Sequence, residues 1–208
     1  MTTPAELWAS ALPEGEIGSA KIEIFEVSEE ASKWDAIRRS IHGSGRFVPP
    51  GIYRRLVVNG ELVMSDTPSE RRDHAGFVHR ASGTVLIHGL GLGCCLQQIM
   101  GRAEVEHVRV VELSQDVIDL VGPSMRERYG DRLDIVCADA LARKPSNGER
   151  YHVIWHDIWP AICTSNLSEI TVLKRRWGRR CDWQGAWVEE HLRAAARRDR
   201  RDRYRMRW

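Results

Sequence analysis

The sequence predicts an α/β fold. It reads as a Rossmann-like parallel sheet, preceded by a small β-hairpin and helix region and followed by a helical C-terminus. Three observations predict it. The apolar run Val85, Leu86, Ile87 reaches His88, and then Gly89, Gly91 and Gly93 alternate with leucines before CCLQQIM takes up a helical pattern. A second strand pattern, His107 to Val111, ends in Glu112, 19 residues past Gly93. Two further strand patterns, Leu133 to Cys137 and Tyr151 to His156, run out into Asp139 and Asp157. Strand-helix alternation of this kind builds a right-handed parallel sheet, and ligands bind off the carboxyl ends of its strands. Gly89, Glu112, Asp139 and Asp157 all fall at those ends.

In chain order, residues 1–66 form an N-terminal strand, helix and hairpin region, 67–162 the Rossmann-like core, and 163–208 a helical C-terminal region with an Arg-rich tail. Residues 1–19 carry no sustained period and read as a mobile lead-in. KIEIFEV from Lys21 alternates as a half-exposed strand, and Ala31, Trp34, Ile37 and Ile41 keep helical spacing over 29–41. HGSGRFVPPG from His42 is a loop. RRLVV and ELVM flank Asn59-Gly60, a pair suited to a type I′ hairpin turn. Thr67, Pro68 and Glu70 spell a capping box, and one helix is expected from there to the glycine strand. Ser114 is the N-cap of the next helix, which Gly122-Pro123 should break. Beyond Asp157 no further strand is legible. Asn166 and Asp182 read as caps of two helices, with Trp183 and Trp187 one turn apart on the second.

Composition narrows the function classes. The chain has 208 residues, 42% of them hydrophobic and 29% charged, enough for one well-packed domain. No apolar run reaches the ~18 residues of a membrane span, and MTTPAELWAS lacks a signal core, so a cytoplasmic protein without a membrane partner is expected. The five cysteines form no C-x-x-C, so neither a disulfide framework nor a metal site is expected. The net charge of +2 divides unevenly: residues 193–208 carry eight Arg and two Asp. That tail suits nucleic acid, but it equally reads as a solvated helix end, the reading favoured here because aromatic residues are not interleaved with it.

Three alternating glycines let the backbone turn sharply and approach a ligand closely, although such turns also serve as plain connectors. The dinucleotide spacing G-x-G-x-x-G is not met. The observed G-x-G-x-G resembles the first motif of class I S-adenosylmethionine (SAM)-dependent enzymes. From Ile52 to Pro160 the chain resembles the spermidine synthase branch of that methyltransferase superfamily, through LVVNGELVMSDTPSERRDHAGFVH followed by VLIHGLGLG. The resemblance implies a shortened class I fold with SAM as cofactor. It places His74 beside the cofactor and the turn Gly89, Leu90, Gly91 and Gly93 against its methionine part. It gives the ribose to Glu112, with Leu113 beside it, and the adenine amino group to Asp139, with Ala140 beside it. Asp157 falls next to the reacting centre. Asp157-Ile158-Trp159-Pro160 also resembles the D-P-P-Y motif of amino-methyltransferases, which makes Trp159 a candidate wall of the substrate pocket. Capping a strand end and packing beneath it remain the alternative roles for this pair.

The chain departs from the family in three places. His88 stands where many methyltransferases carry an acid, the second aspartate of the aminopropyltransferases is missing after Asp157, and the later strands of the sheet are absent. The expected activity is therefore methyl transfer from SAM to an acceptor the sequence does not name, with an amine as one candidate. The alternatives are aminopropyl transfer from decarboxylated SAM and a non-catalytic SAM-binding module. The oligomeric state is not legible.

Overall fold

The computed structural model describes residues 12–42 and 47–205. Most of the expected lead-in, part of the expected loop at 42–51 and the last three residues of the tail lie outside them. Two sheets organise the chain. The first is antiparallel, in the order β1 (Gly15–Ile17), β2 (Ala20–Val27), β3 (Gly51–Val58), β4 (Glu61–Ser65), with helix α1 (Glu29–His42) between β2 and β3. The hairpin turn is as the sequence predicts: Asn59 and Gly60 both take positive φ, 53° and 78°, the left-handed values that a type I′ turn demands.

The second sheet is parallel and five-stranded. Its strands are β5 (Gly83–His88), β6 (Val105–Glu112), β7 (Leu133–Cys137), β8 (Tyr151–His156) and β9 (Cys181–Ala186), in the spatial order β7-β6-β5-β8-β9. The chain winds outward from β5 to β7, returns to β8 on the other side of β5, and ends on β9. This places the topological switch, where a crevice opens, between the carboxyl ends of β5 and β8. Val85, Leu86, Ile87, Val108, Val110 and Ile154 are buried on the sheet, and the central strands β5 and β8 accordingly read as continuous apolar runs. The first sheet shares their core: Ala20, Ile22 and Leu56 pack in one cluster with Val85 and Ile87.

Five helices belong to this half, with one 3-10 turn at Gly130–Arg132: α2 (Pro68–Asp73), α3 (Ala75–Arg80), α4 (Cys94–Met100), α5 (Gln115–Tyr129) and α6 (Asn166–Trp177), and α7 (Glu189–Arg205) closes the chain. Ser114 caps α5 as expected, its Oγ accepting from Val117 N at 3.3 Å. Ser114→Ala should lower unfolding stability by about 1 kcal/mol, the usual worth of such a cap, read by urea denaturation.

Several expectations are corrected. The helix from residue 67 is two short helices that meet at His74, whose φ of −87° and ψ of −6° end the first and start the second. The capping box does not form, because Glu70 turns back to accept from Ser65 N at 2.7 Å and Ser65 Oγ at 2.8 Å. Pro123 does not break α5. Val117, Ile118, Val121 and Met125 are buried along one side of that helix, and their packing outweighs the hydrogen bond that Pro forfeits. Asn166 is the first residue inside α6, not its cap, and its Nδ2 donates to Ala161 O.

The largest correction is β9. Residues 181–186 pair with β8, so the C-terminal region is not wholly helical, and Trp183 lies on a strand. Trp155 is layered between Phe77 of α3, at 5.0 Å between ring centroids, and Trp183, at 6.5 Å. Gly185 permits this, since a Cβ there would come within 2.5 Å of the Trp183 ring and 2.9 Å of the Trp155 ring. Among the described residues, no helix is long and apolar enough to cross a membrane.

Candidate functional site

Backbone hydrogen bonds continue the parallel ladder past the strand ends and set the level of the site. Gly89 N donates to Val111 O, Asp157 N to His88 O, Ala138 N to Glu112 O and Trp187 N to His156 O, at 2.8 to 2.9 Å. Four loops are thereby held in one row over the sheet. A cavity of about 700 Å³ opens above them, walled on the other side by Leu56, Leu62 and Met64 of the hairpin. This volume falls within the ~300–1,000 Å³ of small-molecule sites.

The cavity collects most of the residues singled out in the sequence. His74, Gly89, Leu90, Gly91, Glu112, Leu113, Asp139, Ala140, Asp157 and Trp159 all line it. Gly93 does not. It takes φ 70° as the N-cap of α4, and a Cβ there would meet Met125 Sδ at 3.1 Å. The other two glycines also answer to the protein's own packing. At Gly89 (φ 97°) a Cβ would stand 1.9 Å from the Asp157 carbonyl oxygen, and at Gly91 (φ 51°) 2.2 Å from Met64 Sδ. Met64, a residue the sequence does not single out, lies on the turn, with its sulfur 3.1 Å from the Leu92 N–H that donates to it.

Glu112 spans the turn and the start of α5. One carboxylate oxygen accepts from Leu90 N at 2.7 Å and the other from Ser114 N at 2.9 Å. Each oxygen keeps a further lone pair for a hydroxyl in the cavity. Asp139 closes a turn on itself, accepting from Leu141 N at 2.7 Å with one oxygen. Leu113 is 70% exposed at the rim, an apolar surface where the flat face of a base can rest.

Asp157 ends β8, and its Oδ2 lies 3.7 Å from His74 Nδ1. Burial pushes its carboxyl up to about 7, with the negative charges of Asp73 and Glu112 acting in the same direction. His74 is buried and sits edge-on to Trp155 at 6.0 Å, so the Phe77–Trp155–Trp183 stack that seats α3 also seats His74. Trp159 is 8% exposed and donates from Nε1 to Glu169 Oε2 at 2.6 Å. It therefore combines a core role with its place in the cavity wall.

The remaining histidines of interest belong elsewhere. His88 and His156 face each other through their Nδ1 atoms at 2.8 Å, so one donates and the other accepts. Burial holds His88 well below its ordinary value and brings His156 down to about 4, so both are neutral. Neither lines the cavity. The position where many relatives of the resembled family carry an acid is thus a buried core contact here. His152 accepts from Thr84 N at 3.0 Å, at the start of β5 and away from the site.

No protein-family model matches the chain, and no curated protein matches it. Solved structures do resemble it. The CcbJ methyltransferase from Streptomyces caelestis is 23% identical over 55% of this chain and 45% of that one, with a TM-score of 0.41. Spermidine synthase from Thermotoga maritima is 17% identical over 69% and 46%, with a TM-score of 0.41. A SAM-dependent methyltransferase from Clostridium acetobutylicum ATCC 824 is 10% identical over 72% and 52%, with a TM-score of 0.41. The chain spans about half the length of these structures.

Proposed function

We propose that this protein binds SAM in the cavity and transfers its methyl group to an acceptor held beside Asp157. The observation that carries the reading is the row of strand ends. A glycine turn, a carboxylate 19 residues on, and a second and a third acid stand over neighbouring strands around one cavity. In this reading Glu112 takes the ribose hydroxyls through its free lone pairs and Asp139 the adenine amino group, with Leu113 against the ring. The turn from Gly89 to Gly91 faces the methionine part, where Met64 now rests on the backbone.

Methyl transfer needs an attacking atom in line with the sulfonium more than it needs an acid or base, and positioning alone supplies several kcal/mol. The acids around the cavity, Glu70, Glu112, Asp139, Asp157 and Glu169, favour a cation in it, which suits both a sulfonium and an amine acceptor. An amine attacks only when neutral, and Asp157 is placed to take or orient its proton. Aminopropyl transfer from decarboxylated SAM stays the second reading, supported by the resemblance and opposed by the single aspartate at 157.

Calorimetry with SAM, decarboxylated SAM and NAD in turn tests the cofactor. SAM should bind, and Glu112→Ala should weaken that binding by about 1.5–3 kcal/mol, the worth of hydrogen bonds to a charged group. No heat with SAM, or an unchanged dissociation constant in Glu112→Ala, overturns the reading.

A further inference from the structure

We infer that His74, Cys95 and Asp157 form a binding site for one zinc-type divalent ion at the floor of the cavity. One nitrogen of His74, the Cys95 sulfur and one Asp157 oxygen all lie within 4.8 Å of one another, and the His74–Asp157 pair is at 3.7 Å. Metal–ligand bonds of about 2.0–2.3 Å put the corners of a tetrahedron roughly 3.3–3.8 Å apart. The His74–Asp157 pair already meets that spacing, and the Cys95 sulfur stands no more than 4.8 Å from either atom. The donor set, one imidazole, one thiolate and one carboxylate, is of the kind zinc takes.

Charge and burial agree with the geometry. His74 and Cys95 are 2% and 4% exposed, and the Asp157 side chain is 20% exposed. A thiolate and a carboxylate together neutralise a dication, so a site too buried for any one of these charges alone is neutral when assembled. The three ligands come from rigid places: the junction of α2 and α3, the first turn of α4, and the end of β8. All three line the cavity, so the fourth coordination position lies on its side, open to water or to a donor atom of the acceptor. Three ligands with one open position is the pattern of a reactive zinc site, not of a structural one.

The inference stands on this cluster and does not require that SAM binds. It also reverses the expectation of no metal site, which rested on cysteine spacing; one cysteine suffices when the partners come from distant elements.

The test uses the full chain, stripped by chelator and reloaded with zinc or cobalt. One equivalent of zinc should survive gel filtration. The cobalt form should show a thiolate-to-cobalt charge-transfer band and the intense visible bands of a tetrahedral ion. Cys95→Ser should abolish the charge-transfer band, and His74→Gln should lower metal affinity at least tenfold, since losing even a group that only orients a ligand costs about 10–100-fold. Cys94→Ser, next in the chain, should leave both intact. Circular dichroism before loading separates lost ligation from lost fold. No stoichiometric retention by the wild-type chain, a cobalt spectrum without the thiolate band, or a band that survives in Cys95→Ser overturns the site. SAM titration of the stripped protein reports on the cofactor reading separately.

Discussion

Asp157→Asn is expected to leave SAM affinity within a few-fold of wild type and to lower turnover by about 10²–10⁴, the usual span for a positioned proton-accepting group. The asymmetry follows from placement. Glu112 and Asp139 stand over β6 and β7, where the ribose and adenine are held in the proposed reading, while Asp157 stands over β8 beside His74. A group that meets the acceptor, and not the cofactor, contributes in the transition state without contributing to cofactor binding. Asparagine keeps the shape and the backbone bond from residue 157 N to His88 O, so the strand end stays in place. Single-turnover kinetics with methyl-labelled SAM, paired with calorimetry, read the two effects apart. If Asp157 only ends the strand, turnover should barely move, since asparagine serves a strand end equally well; full activity in a folded Asp157→Asn protein removes it from the mechanism. His156 then offers no substitute, being fully buried against His88 and outside the cavity.

The parallel core was legible because its signals are local. Val85 to Ile87 and Val153 to Trp155 are buried on both faces, and such strands announce themselves as unbroken apolar runs, while β6 buries Val108, Val110 and Val111 around the partly exposed Arg109. The residues at their carboxyl ends follow from counting along the chain, which is why ten of the eleven site residues named from the sequence meet in one cavity and Gly93 alone does not. Asn59-Gly60 was legible for a different reason: the turn type demands positive φ at both places.

What stayed hidden is what tertiary contacts decide. CDWQGA carries few of the residues that favour strands, and only pairing with β8 and the Trp155–Trp183 stack make it β9. Trp183 and Trp187 stand four apart, which imitates a helical face, although the first is in β9 and the second donates from Nε1 to Asp73 at 3.3 Å. Met64 carries no motif, and its position on the glycine turn depends on how the hairpin docks. The cluster of His74, Cys95 and Asp157 unites residues 21 and 62 positions apart, a spacing that belongs to no metal-binding pattern.

The glycines mix the two cases, and Gly89→Ala separates them. The sequence assigns Gly89 to ligand approach, whereas the structure gives the same position a second duty against the protein's own backbone. A Cβ there would come 1.9 Å from the Asp157 carbonyl oxygen at a φ of 97°. Backbone cannot rotate aside as a side-chain tip can, so β5 and β8 must part where Asp157 N donates to His88 O at 2.8 Å. The left-handed backbone costs ~1–2 kcal/mol and the overpacking a further ~1–3, so a loss of about 2–5 kcal/mol in unfolding stability is expected. Gly60→Ala is the matched control. It also sits at positive φ, 78°, but a Cβ there meets nothing within 4 Å, so only the backbone cost remains. Urea denaturation of the two variants side by side measures the difference. At a temperature where Gly89→Ala is still folded, SAM binding should also be lost, because the turn and Asp157 move together. Equal stability of the two alanine variants would mean that the contact between Gly89 and the Asp157 carbonyl does not set the geometry of the site, leaving Gly89 with ligand approach as its one role.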